Sequence, residues 1–310
     1  MFFEDSTRFA CIVPVIERNT RMNLDDLFAL YSRKRLRMRS PNTVRLYMHS
    51  IAAFETTLGR KATTDDLTDD NVEQHMSRVV GSGLSVASAN KDLWQLGAIW
   101  RFANRNRLCD TWPNVQTYPE PERVPMAWLP DELDRLFAAV KQEDGTISGA
   151  PASLWWESLL CVLLDTGERI GAIMQCNRSN LQGCFLLVPA ENRKGKTRDK
   201  LFELSSETQH LVSSLTLSHR YQLLFPWDRH STYLYTRYKR ILKRAGLPTD
   251  AKSNFHKLRR TCASAVKSQG GDATLALDHA SSETTKAYLD PRIVHQKATH
   301  NFVTDWRKVR

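Results

Sequence analysis

Five prolines, at positions 113, 119, 121, 125 and 130, separate a stretch of helical periodicity from a longer segment of mixed pattern. Proline fixes φ and donates no backbone hydrogen bond, so a stretch this rich in it suits neither a helix nor a central strand and stiffens a connector. The 310 residues on its two sides are enough for two domains, each with its own core. The expected division is an N-terminal extension over 1–22, a helical domain over 23–108, a linker over 109–129 and a second domain over 130–310.

Four helices are expected before the linker. Leu27, Leu30 and Tyr31 mark the first, and Val44, Tyr47, Ile51 and Phe54 share one face of the second. Ser40-Pro41 supplies that second helix with a cap and then a proline in its first turn, where the missing N–H costs nothing. A third runs from about Asp69 to Val80 and stops at Gly81-Ser82-Gly83, and Ala89, Leu93, Leu96 and Trp100 recur on one face of a fourth. Beyond the linker, Leu133, Leu136, Phe137 and Val140 mark an amphipathic helix, and 154–164 is apolar nearly all round, as a buried helix should be. Segments 184–188 and 200–204 read as the strands of a hairpin with a basic sequence near its tip, and helices resume over about 230–244 and 256–267. The fold class is mainly α with a small antiparallel β-sheet.

The formal net charge of +10 argues for an anionic polymer as partner, because summed positive potential draws phosphates and speeds their encounter. Six cysteines, Cys11, Cys109, Cys161, Cys176, Cys184 and Cys262, lack paired Cys-x-x-Cys spacing and read as reduced residues of a cytosolic protein without a zinc site. Residues 1–19 carry Glu4, Asp5 and Arg8 where a secretory signal needs an apolar block, and no run is long enough to span a bilayer.

Against that background stands a set of polar residues suited to phosphate chemistry: Arg169, a lysine within Arg193-Lys194-Gly195-Lys196-Thr197-Arg198, His256, Arg259, His279 and Tyr288. Each is ordinary by itself, since His-x-x-Arg pairs and helix-entry arginines are common. Together they offer a phenol nucleophile and cations for a pentavalent transition state. Asp165-Thr166-Gly167-Glu168-Arg169 resembles the Thr-Gly-x-Arg of the tyrosine recombinase (phage integrase) family, and Phe255-His256-Lys257-Leu258-Arg259-Arg260-Thr261 its His-x-Leu-Arg-His-Thr. The run from Leu277-Asp278-His279 to Tyr288 resembles its Leu-Gly-His-Ser-Ser-x-x-Thr-Thr-x-x-Tyr, with the same nine-residue interval between histidine and tyrosine. The resemblance extends from about residue 23 to Tyr288.

The resemblance implies a SAM-like core-binding bundle followed by a tyrosine-recombinase catalytic domain, the two closing around double-stranded DNA. It implies Tyr288 as the nucleophile that forms a 3′-phosphotyrosyl link, Arg169 and Arg259 as phosphate clamps, His256 as an aid to proton transfer and His279 as a hydrogen-bond donor to phosphate. Lys194, or alternatively Lys196, is the expected acid for the departing 5′-oxygen. No carboxylate cluster suggests a two-metal site, so neither a divalent cation nor ATP is expected. The family's usual acid three positions after the first arginine is here Ala172, its usual glycine before the histidine is Asp278, and its second histidine after Arg259 is Arg260. Asp278 therefore threatens to repel phosphate unless it pairs with a cation, for which Arg260 is a neighbour. The proline usual in the second hairpin strand is also missing, with Glu203 in its place.

DNA contact is expected from Arg33, Lys34, Arg35, Arg37 and Arg39, a dense basic run at the end of the first helix, and from Lys196 and Arg198 of the hairpin. By resemblance, residues 1–22 are too few for the extra arm-binding domain of some integrases. Val294, Ala298, Phe302 and Trp306 place an apolar stripe on a final helix, which packs on its own domain or, as the resemblance implies, docks on a neighbour in a tetramer assembled on paired sites. Such a recombinase would serve a mobile element and act in the cytoplasm on nucleoid DNA. The competing readings are strand passage of the type IB topoisomerase or hairpin-resolvase kind, and a catalytically silent DNA binder of the same fold.

Overall fold

The computed structural model describes residues 21–195 and 197–294, which divide into two compact units between Glu122 and Arg123. Most of the N-terminal extension, Lys196, and Ala298, Phe302 and Trp306 of the tail stripe lie outside the described residues.

The first unit is built from α1 (Leu24–Arg35), α2 (Pro41–Leu58), α3 (Asp69–Gly81) and α4 (Val86–Arg105). Their starts follow from local chemistry: the Ser40, Thr68 and Ser85 side chains each accept an otherwise orphaned N–H of the first turn. One apolar face from each helix meets in a core that includes Leu27, Phe54, Met76, Leu96 and Trp100. Arg33, Lys34, Arg35, Arg37 and Arg39 are exposed, and Arg35 lines a shallow cleft with Arg101 and Arg105 of α4.

The proline-rich stretch is not a free connector over its whole length. Thr111 Oγ1 donates to the Leu67 carbonyl, the Trp100 indole donates back to Thr111, and Asn90 exchanges hydrogen bonds with the Tyr118 backbone. Residues 111–118 are thus strapped to the helical unit by side chains that replace the backbone partners prolines cannot recruit. Ala127 and Trp128 are fully buried in the second unit, Trp128 within its main core.

That second unit begins with α5 (Pro130–Lys141), a two-residue-per-strand hairpin of β1 (Thr146–Ile147) and β2 (Ala150–Pro151), and the central α6 (Ala152–Thr166). Short α7 (Ile170–Ile173) leads into an antiparallel sheet ordered β3 (Leu181–Gln182), β4 (Phe185–Val188), β5 (Lys200–Glu203), in which Leu186 faces Phe202. Then come α8 (Ser206–Ser218), α9 (Ser231–Arg244), α10 (His256–Ser268), α11 (Ala273–Leu277) and α12 (Ser282–Lys286). Burial along α6 is nearly continuous, and Trp155 and Trp156 pack in an aromatic group with Phe225, Trp227, Tyr238 and Phe255. Phe255 lies flat on Tyr238 at 4.3 Å between ring centroids, which anchors the start of α10 and hence the residues that follow it.

Candidate active site

Four turns of chain converge on one place in the second unit. α6 ends at Gly167, whose φ of 59° is the left-handed conformation that terminates a helix, and the chain re-enters α7 with Arg169 at its N-cap. α10 presents His256 at its exposed start and Arg259 one turn later on the buried side, where only 2% of Arg259 remains accessible. α11 ends at Asp278, also left-handed with φ 55°, and His279 follows. Tyr288 comes after α12: the helix stops at Lys286, and the tyrosine N–H reaches only the Thr285 carbonyl three residues back. Tyr288 therefore lies just past the helix rather than on it. Asp290, fully buried, accepts from the Ala127 N–H at 2.7 Å and pairs with Arg292 at 2.7 Å, while its own N–H donates to Ser264. Those fixed partners draw the chain out of helical register before the proline is reached.

The Tyr288 ring sits between two imidazoles, 5.0 Å from that of His256 and 4.7 Å from that of His279 between centroids, with the Arg259 guanidinium 5.7 Å from its ring centre. Arg259 donates from Nη1 to the Gly167 carbonyl at 2.6 Å and from Nη2 to the Leu277 carbonyl at 2.7 Å. Its buried Nε has no hydrogen-bond partner among the described residues, an unused donor of the sort a phosphate oxygen satisfies. Nη2 also lies 3.1 Å from His279 Nε2. A guanidinium has no acceptor, so His279 Nε2 must accept here and Nδ1 must carry the proton, which it donates to Thr285 Oγ1 at 3.0 Å. His279 is thereby neutral in the DNA-free state. Burial first, then the charges of Arg259 and Arg169, push it down to about 4. His256 keeps an exposed edge, yet the atoms packed around it, followed by the charges of Arg260, Arg259 and Arg169, push it down to about 4 as well.

Arg169, His256, Arg259, His279 and Tyr288 are therefore brought together. Lys194 is not: it lies exposed on the β4–β5 hairpin, with no ion pair or hydrogen bond to the others among the described residues, and Lys196 falls outside them. Asp278 pairs with Arg193 at 2.9 Å and with Arg198, not with the expected Arg260. Arg260 points elsewhere because it follows Arg259 by one residue, about 100° around a helix.

Three residues that sequence reasoning did not single out complete the setting. Glu168, 2% exposed, accepts the Arg169 N–H and an Arg193 Nε–H. Arg193, 6% exposed, bridges Glu168 and Asp278. Lys200 Nζ donates to the Leu275 and Ala276 carbonyls at the end of α11, and desolvation lowers its pKa. The available signal for Glu168 was its place as the variable residue of Thr-Gly-x-Arg in a chain that lacks an acid at 172.

A model of the phage integrase family matches residues 128–294, which include every one of these groups. The chain belongs to the phage integrase family. It is a tyrosine site-specific recombinase, and the integrase shares its fold with solved relatives over both units. A lambda integrase dimer bound to a COC′ core site matches with a TM-score of 0.69 at 19% identity, covering 87% of this chain and 96% of that one. The Tn1549 transposon integrase in complex with circular intermediate DNA matches with a TM-score of 0.68 at 14% identity, covering 86% and 95%. A lambda integrase tetramer bound to a Holliday junction matches with a TM-score of 0.66 at 18% identity, covering 88% and 79%. At these identities the likeness is one of fold. No curated protein matches the sequence.

Proposed function

We propose that the integrase cuts and rejoins duplex DNA by attack of the Tyr288 phenolic oxygen on a phosphodiester. The P–O5′ bond breaks, the 3′-phosphate becomes esterified to Tyr288, and reversal with a 5′-hydroxyl from a second duplex completes strand exchange. The observation that carries this reading is the placement of the Tyr288 ring between His256 and His279 beside Arg259. An unperturbed phenol has a pKa near ~10, so attack at neutral pH needs a base. His256, neutral well below pH 7, is free to take the proton. Arg169 and Arg259 hold the non-bridging oxygens, with guanidinium charge present throughout and a planar fork that fits phosphate.

As phosphate enters, Arg259 exchanges its hydrogen bond with His279 for one with the anion, and His279 then gains a proton at Nε2 and donates to the same oxygen. The 5′-oxygen receives its proton from the hairpin, by Lys194 or by Lys196. The exposed basic run 33–39 and Arg198 bind backbone phosphates. Four copies assemble on paired sites with the C-terminal tail as the linking element; a solved lambda integrase tetramer bound to a Holliday junction supports the four-copy assembly. The setting is the DNA of the nucleoid. A nicked suicide duplex, which loses its leaving strand after cleavage, tests the reading: a denaturant-resistant protein–DNA adduct and a product joining two sites are expected. Relaxation without a two-site product would favour the strand-passage alternative, and no adduct would favour a silent binder.

A further inference from the structure

A carboxylate stripped of water is costly unless it is paired, and one placed among the cations that must hold a phosphate competes with that phosphate. This site contains two, Glu168 and Asp278, in positions where the family pattern calls for neither. Both are joined to the same buried guanidinium. Arg193 Nε lies 2.9 Å from Glu168 Oε2, and its Nη1 lies 2.9 Å from Asp278 Oδ2. The other Glu168 oxygen accepts the Arg169 N–H at 2.8 Å and stands 3.7 Å from Nη1 of both Arg169 and Arg259. Arg198 adds a second cation to Asp278.

We propose that Glu168, Arg193 and Asp278 form a chain of ion pairs that positions the catalytic groups, fixing Arg169, Arg259, the base of the hairpin lysine's loop and His279 relative to one another. Each member sits one residue from a group it sets: Glu168 before Arg169, Arg193 before Lys194, Asp278 before His279. The chain compensates two departures at once. It supplies from position 168 the acid missing at 172, where a buried alanine stands, and it neutralises an aspartate that would otherwise repel the DNA phosphate. Burial alone would raise the Asp278 carboxyl, but the Arg193 hydrogen bond and the charges of Arg193, Arg198 and Lys200 outweigh it and hold it below the usual range. It therefore stays ionised and paired at neutral pH.

The inference rests on the assignment of Tyr288 and its arginines above, so the full-length wild-type chain on a nicked suicide duplex is the reference. Glu168→Gln keeps the size and one acceptor oxygen but removes the charge. It should slow single-turnover adduct formation by about 10- to 100-fold, as a small misplacement of reacting groups does, while DNA affinity in band shifts stays at the wild-type value. Glu168→Asp, which restores the charge, should recover part of the rate. Arg193→Met and Asp278→Asn should each slow cleavage, and the double variant should be no slower than the worse single one, because both break the same chain. Asp278→Gly guards against misfolding, since a φ of 55° suits glycine; it should slow cleavage even though it restores the family's usual residue. Wild-type rates for Glu168→Gln or Asp278→Gly, or multiplying losses in the double variant, would overturn the inference alone. No adduct from the wild type would overturn the Tyr288 assignment and the inference with it.

Discussion

Replacing Gly167 with alanine tests how tightly the first motif is held against the rest of the site. The backbone there has φ 59°, and a Cβ built on it would lie 2.8 Å from Cys262 Sγ and 3.0 Å from Leu277 Cδ2. Both neighbours are buried side chains, Cys262 on the helix that carries Arg259 and Leu277 at the end of the helix that His279 follows. A left-handed non-glycine residue costs about 1–2 kcal/mol, and forcing a methyl into a packed core adds about 1–3 kcal/mol, so the sum is about 2–5 kcal/mol. Gly183 offers an internal reference: its φ is 61°, but a Cβ there meets nothing within 4 Å. Gly183→Ala should therefore lose only about 1–2 kcal/mol, the strain by itself. Urea unfolding of the two variants beside the wild type reads the difference as a shift in midpoint at constant slope. Because the Gly167 carbonyl also accepts from Arg259, Gly167→Ala should in addition slow adduct formation, whereas Gly183→Ala should not. Equal stability of the two variants would refute the claim that Cys262 and Leu277 close on this turn.

Four further expectations follow from the charged and titrating groups. His256 and His279 sit at about 4 in the free protein against about 6.5 in an unfolded chain, so the unfolded state binds more protons between those values and DNA-free stability should fall as pH drops through that window. Phosphate entry reverses the balance at His279 alone, and calorimetric titration with DNA at about pH 6, in buffers of different ionisation enthalpy, should show proton uptake that disappears in His279→Gln. The log–log salt dependence of binding should be steep, and neutralising Arg33, Lys34 and Arg35 together should make it shallower by about 0.9 for each phosphate no longer neutralised; an unchanged slope would leave that run as merely solvated. Lys194→Ala should cleave an ordinary substrate poorly and recover on a 5′-bridging phosphorothiolate, whose sulfur leaves without a proton; rescue of Lys196→Ala alone would move the acid to Lys196.

Periodicity made the first unit legible because each helix shows one apolar face and three of the four carry their own side-chain cap, as at Ser40 and Ser85. α8 escaped notice because Ser, Thr, Gln and His dominate its surface and its burial rests on Val212, Leu215 and Thr208. The β1–β2 hairpin was equally silent, with two residues per strand. Motif spacing was enough to pick out Arg169, His256, Arg259, His279 and Tyr288, since their convergence depends on turns that the motifs themselves encode. It could not reveal partners chosen by tertiary packing. Asp278 has a candidate cation in Arg260 of the preceding motif, 18 residues earlier, yet the cations that meet it come from the hairpin, 80 and 85 residues earlier at Arg198 and Arg193. The chain after Tyr288 is likewise set by Asp290, whose partner Ala127 lies 163 residues upstream.

The most direct test of the account is the identity of the atom that becomes joined to DNA. The adduct trapped from wild-type protein on the nicked suicide duplex is digested with protease and nuclease, and the modified peptide is sequenced by mass spectrometry. The account predicts one nucleotide-bearing peptide with the phosphate on Tyr288, and no adduct at all from Tyr288→Phe under conditions in which that variant still binds DNA. A phosphate on any other residue, or an adduct that survives in Tyr288→Phe, would contradict it.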